Sequence, residues 1–294
     1  MSKNNRDNIK ILVCCHKPYN LPDNPIYLPI HVGKAVSLLD LCIQGDNECN
    51  EQACDNISKL NSLYSEMTAM YWAWKNIQIC YPDVQYVGLC HYRRYFCAEN
   101  HVIQNLFKQF VKTVIVMKRV ATGHKLGIYI HEKRQEMDSL NNERFFRSNK
   151  KLKDIICSYD ITTTYPIRLY NNDVRTFFSV VGREYISLLE EIVASQFPEY
   201  QCSLQKILDG SRLISANMLV IKIGYLDEYC RFVFGVLEKH IEEVKKQNIC
   251  NEPKLERVYS RVPGYMAEVL TNTFIEKQRK KLKIAYTEKF FIEQ

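Results

Sequence analysis

The stretch that most constrains the fold is Tyr86-Val87-Gly88-Leu89-Cys90, a short apolar run behind a Tyr-Pro-Asp break at 81–83, which reads as a buried strand. Polarity switches abruptly after it, to His91, Tyr92, Arg93 and Arg94. In an open α/β sheet, ligands bind where strands end in this way. Two adjacent guanidiniums repel each other and call for an anion; a diphosphate would satisfy both bidentately, and local surface carboxylates are the plainer alternative.

The 294 residues are 46% hydrophobic and 25% charged, enough for one large α/β domain or two small ones. The polar first ten residues lead into an apolar run too short for a signal-peptide core, and no run approaches the ~18 apolar residues of a membrane span. The expectation is a cytoplasmic protein. None of the twelve cysteines forms a Cys-x-x-Cys pair, so reduced thiols are expected, with a zinc site of Cys42, Cys49 and Cys54 as the sharper alternative. Residues 118–153 carry ten Lys or Arg against four Asp or Glu, and 276–289 carry six against two. Such surplus suits nucleic acid, anionic lipid or an anionic substrate, or simply a solvated helix face.

Strand signals run over Ile9–Cys14, Tyr86–Cys90, Thr113–Met117, Tyr159–Thr164 and Ala216–Ile223. Helical spacing runs over 35–43, 62–77, 103–110, 152–158, 185–195, 226–244 and 265–278. Strands alternating with helices imply an α/β sandwich with a mainly parallel sheet, without internal repeat or linker. Prolines 18, 22, 25 and 29 exclude helix or central strand after the first strand, leaving a rigid loop with His16 and Lys17 at its start to meet a base or phosphate. In the aromatic helix, Leu63, Met67, Met70, Tyr71 and Trp74 form the core face, while Tyr64, Thr68, Trp72 and Lys75 form a second stripe that could flank a cleft.

Several motifs then join: His16-Lys17, Tyr27-x-Pro29-Ile30, Asp55-Asn56-Ile57-Ser58, Tyr64 to Lys75, Tyr86 to Phe96, Asn217 to Ile221, and Gly264-Tyr265-x-Ala267-Glu268. In these the chain resembles the bacterial DUF4422 family of capsule and O-antigen polysaccharide gene clusters, from its first strand to its final helix. The long basic segment between Phe110 and Leu152 departs from the family pattern. The resemblance implies a single domain over 1–294 with a GT-A-like, Rossmann-type, mainly parallel sheet flanked by helices, a basic insertion near 118–153 and a basic helical tail over 265–294.

It also implies a glycosyltransferase that moves a hexosyl unit, galactofuranosyl or galactosyl, from a UDP-type nucleotide sugar to a lipid-linked saccharide acceptor. Departure of the diphosphate needs cationic help, from a divalent metal or from fixed side chains. Because no Asp-x-Asp occurs, Arg93 and Arg94 are expected to neutralise it with His91, making Mn²⁺ or Mg²⁺ unnecessary though Asp55 leaves a metal open. His16, Lys17, Asp55, Asn56, His91 and Tyr92 are candidates for the donor, and Asn217, Glu66 and Trp72 for the acceptor or sugar. Glu268 is the candidate base that takes the acceptor's proton, with Glu66 next; a capping role is the plainer reading of Glu268. The basic segments are expected to hold the enzyme at the inner face of an anionic membrane, with no nucleic acid bound. The rival reading is a catalytically silent module that grips a polyanion or nucleic acid through the basic segment. No phosphate-binding Gly-rich loop supports a phosphoryl-transfer enzyme using His91.

Overall fold

The sheet is organised by alternation of side chains along its strands. In β1 (Ile9–Cys15), Leu12 and Cys14 join one apolar cluster while Ile9, Ile11, Val13 and Cys15 join another, so both faces of the strand are buried. The computed structural model describes residues 8–50, 52–98, 129–131, 134–137, 143–170, 172–247 and 261–292. The expected helix 103–110, the expected strand Thr113–Met117 and most of the basic segment lie outside them.

β1 pairs in parallel with β2 (Tyr27–His31) on one side and with β5 (Tyr86–His91) on the other. β3 (Glu48–Cys49) and β4 (Gln52–Ala53) form a separate hairpin. β2 contains Pro29, which is tolerated because the strand is the sheet's outer edge. β6 (Arg94–Cys97) folds back on β5, and β7 (Tyr129–His131) and β8 (Arg134–Met137) follow. β9 (Ile161–Thr164), β10 (Ile167–Tyr170), β11 (Arg212–Leu213), β12 (Leu219–Lys222) and β13 (Ile284–Ile292) complete the strands among the described residues. β7, β10 and β11 form a small second sheet.

The main sheet is mixed, which corrects the expectation of a mainly parallel one. β12 runs antiparallel to both β5 and β9, while β13 is parallel to β9 and β8 and antiparallel to β6. Alternating strand and helix signals order elements along the chain; they fix direction only where one helix carries the chain back to the same edge.

The helices are α1 (Asn61–Tyr64), α2 (Met67–Cys80), α3 (Glu143–Ser158), α4 (Val174–Phe178), α5 (Arg183–Gln196), α6 (Gln201–Leu208), α7 (Ile223–Lys246) and α8 (Val262–Gln278). α3 buries Phe145, Leu152 and Ile156 against one face of the sheet; the larger cluster, with α2 and α4 to α8, covers the other. Four local expectations are corrected. Residues 35–43 form no helix, only a 3₁₀ turn at Lys34–Val36, because Ser37 and Asp40 bond their own nearby backbone. The aromatic helix is broken at Ser65, whose φ is +49°. The tail is not helical beyond Gln278: it supplies β13, and its Lys289 is buried. Cys49 and Cys80 are joined in a disulfide rather than reduced, so the Cys42–Cys49–Cys54 zinc set does not form.

β5 and β12 approach closely at Gly88, where an added Cβ would lie 2.6 Å from Val220 Cγ2 and 2.9 Å from the Leu219 carbonyl. Gly88→Ala must push the two strands apart, and should lower stability by about 1–3 kcal/mol, read as a lower urea midpoint at unchanged slope.

Candidate functional site

His91 and Arg94 are directly paired across the β5–β6 hairpin, with Tyr92 and Arg93 at its tip. Paired residues project to the same face of a sheet. Both accordingly line a cleft of about 580 Å³ at the C-terminal edge of β1 and β5, a volume suited to a small ligand. Arg93 does not line it: its Nε donates to the Ile292 carbonyl at 3.3 Å and its guanidinium packs over Phe291. Arg94 packs over the same Phe291 ring at 5.6 Å, so the two arginines share that aromatic neighbour and differ in that Arg94 also lines the cleft.

The floor is built around Ala216. Its carbonyl is 2.8 Å from His91 Nε2, which must be the protonated nitrogen, and its N–H donates to Glu268 Oε1 at 3.0 Å. Ala216 and Asn217 both adopt left-handed backbone, φ +67° and +49°, conformations that are costly for residues other than glycine and held here by these bonds. Asn217 lies behind the floor rather than in it; its Nδ2 donates to Glu66 Oε1 at 2.9 Å, and its Oδ1 accepts from Thr271. The two strained segments, Ser65 before Glu66 and Ala216-Asn217, are therefore bridged side chain to side chain.

Two groups at the floor titrate away from their ordinary ranges. The Glu268 carboxyl is pushed up to about 7, mainly by burial and further by the neighbouring Glu66 carboxylate, against the Ala216 N–H, Lys289 and Arg94. Burial also holds His91 below the usual imidazole range, against the pull of Glu66. Cys14 lines the cleft, but burial raises its thiol far above the ordinary value, which removes it as a nucleophile. Glu268 sits in the second turn of α8, which starts at Val262 with Pro263 in its first turn, so the helix dipole contributes little there.

The rim is aromatic: Tyr92 stacks on Tyr19 at 3.8 Å between ring centres and meets His16 edge-on at 5.2 Å. Lys17 does not line the cleft, its ammonium lying over Tyr19. Asp55 and Asn56 are also outside it, Asp55 accepting from Tyr71 and Asn56 closing a local turn with Cys54 and Ser58. Trp72 is fully buried in the core, its indole N–H donating to the Glu48 carbonyl, so the second stripe of the aromatic helix is not a cleft wall. Cleft residues not foreseen include Val32, Asn61, Ser65, Ala216, Arg261 and Tyr265. Ser65 carried a signal, since a small polar residue within an apolar helical spacing marks a possible break. Among the described residues no group of three His, Cys, Asp or Glu side chains is placed to hold a metal ion.

The profile of one family, described as a domain of unknown function (DUF4422), matches residues 10–280. The chain belongs to the DUF4422 family. Among solved structures, the apo form of WbbM, a bifunctional glycosyltransferase, is similar to this DUF4422 chain with a TM-score of 0.76 and 22% sequence identity. The match covers 98% of this chain and 46% of that one, so the chain spans less than half the length of WbbM. At that identity the likeness is one of fold. A comparison with curated proteins finds no match.

The raised Glu268 carboxyl ties the DUF4422 site to stability. Its folded value lies above the ordinary one, so its contribution is complete below about pH 4.5 and is lost as pH rises through about 7. Glu268→Gln keeps an acceptor for Ala216 N–H without the buried charge. Thermal melts should show the variant more stable than the parent at pH 8, by up to about 3 kcal/mol, with the gap closing towards pH 5.

Proposed function

We propose that the chain is a glycosyltransferase with a GT-A-like fold that moves a hexosyl unit, galactofuranosyl or galactosyl, from a UDP-linked sugar to a saccharide acceptor on a lipid carrier, in capsule or O-antigen synthesis. The observation that carries this reading is the Glu268 carboxyl, titrating near neutrality at the floor of a cleft that also holds Arg94. A group of that kind is what a hydroxyl nucleophile needs, since the ideal base titrates near the working pH. The similarity in fold to WbbM supports the same direction.

In this mechanism the acceptor hydroxyl gives its proton to Glu268 as its oxygen bonds the anomeric carbon. The bond from that carbon to the diphosphate oxygen breaks on the opposite side, so the configuration inverts. The departing diphosphate takes the electron pair, and the Arg94 guanidinium compensates its charge, with Arg261 at the mouth of the cleft. His91, held neutral with its Nε2–H bound to Ala216, offers Nδ1 as an acceptor. In this reading the stacked pair of Tyr92 and Tyr19 flanks the base of the nucleotide. Fixed cations then do the work that a divalent metal does in other sugar transfers.

With a UDP-sugar panel and radiolabelled transfer as readout, Arg94→Ala should lower the rate by about 100-fold or more, whereas Arg93→Ala should leave it close to the parent's. Turnover should persist in EDTA; abolition by EDTA with rescue by Mn²⁺ would overturn the cationic mechanism. Glu268→Gln should lower transfer by about 100-fold or more with donor binding almost unchanged. The parent's kcat/KM should rise with pH through an apparent pKa of about 7, because the base must be ionised. A product that keeps the donor's anomeric configuration would sink the single-base mechanism.

A further inference from the structure

Seven large hydrophobic side chains are exposed among the described residues, and four of them stand on two touching turns. Val36, Leu38 and Leu39 are 58%, 103% and 52% exposed on and just after the 3₁₀ turn Lys34–Val36, and Leu60 is 43% exposed on the turn Ser58–Leu60. These turns are built, not loose. The fully buried Asp46 carboxylate accepts from Gly33 N at 2.8 Å, from Lys34 N at 3.2 Å and from the Ser58 hydroxyl, while Ser58 Oγ accepts from Ala35 N at 3.1 Å. Gly33 has φ +71° and lies so close to Asn61 that a Cβ would meet its side chain at 2.8 Å. The two turns are thus locked together, with Leu38 projecting at the tip.

The position of this wedge points to its partner. It follows β2 at the same edge where β1 and β5 end, and Val32 and Asn61, its immediate neighbours in sequence, line the cleft. Around that edge stand Lys17, Lys59, Arg93 and Arg261, while the acid at the wedge, Asp40, is paired with Lys34 at 2.6 Å. An apolar tip on a sheet edge that also carries these cations matches the boundary between headgroups and acyl chains of an anionic bilayer. A second copy of the chain fits less well, because a stable dimer buries about 1,200–2,000 Å² in total, far more than four side chains supply.

We propose that the Val36–Leu39 and Leu60 wedge inserts into the surface of an anionic phospholipid bilayer and holds the mouth of the cleft against it. The inference rests on the glycosyl-transfer reading only for its purpose, presenting the cleft to an acceptor on a lipid carrier. It assigns attachment to the wedge rather than to the basic segment.

The test uses the full chain and vesicles of phosphatidylglycerol with phosphatidylethanolamine, compared with phosphatidylcholine alone. The parent should float with the anionic vesicles, and Leu38→Asp combined with Leu39→Ser should lower the bound fraction by about tenfold or more with an unchanged melting temperature, since both side chains are exposed. In a second measurement, Leu38→Trp should gain a blue-shifted emission on these vesicles that lipids brominated along the acyl chain quench. Equal flotation of parent and double variant, absence of quenching, or loss of self-association instead of vesicle binding in the double variant would each overturn the proposal. Vesicle binding is read without any sugar donor, so the wedge stands or falls separately from glycosyl transfer.

Discussion

The site depends on one peptide unit held from both sides. Ala216 offers its carbonyl to His91 and its N–H to Glu268, while left-handed backbone at Ala216 and Asn217 turns the chain sharply into β12. A strand end, a helix and a hairpin are thereby fixed to a common point. Without those bonds the left-handed pair would relax, and the base, the imidazole and Arg94 would no longer share a cleft.

Charge at this point is balanced rather than minimised. Two carboxylates, Glu66 and Glu268, face each other's field in a buried place; Arg94 and Lys289 oppose the proton uptake that burial drives. Lys289 comes from β13, where it donates to Ser215 Oγ, so the strand that closes the sheet also tunes the base. Asn217 holds Glu66 in place without itself reaching the cleft.

Much of this was legible in residues. The apolar run into His91 puts His91 to Arg94 at a strand end, a local signal that depends on neighbours in sequence, whereas Glu268 is pointed to by the family resemblance through its closing Gly-Tyr-x-Ala-Glu motif. What was not legible depended on pairing. That Arg94 lines the cleft while Arg93 does not follows from where the β5–β6 hairpin turns; the burial of Trp72 follows from β3 lying over α2. Asn56 spends its side chain on a local turn and Asp55 accepts from Tyr71, partners that residue type alone does not reveal. The antiparallel β12 and the buried final strand are set by contacts between residues far apart, which no short-range pattern specifies.

β13 has a consequence for how the molecule assembles. It is the last described strand, yet it lies within the sheet, with β9 along its first half and β6 and β8 along its second. Loop closure over such separations is entropically slow, so β9 and β6 must wait, with unpaired backbone, until this late segment has been synthesised. During that interval the nascent chain presents open strand edges, and its dependence on chaperones should be greatest just before β13 emerges from the ribosome.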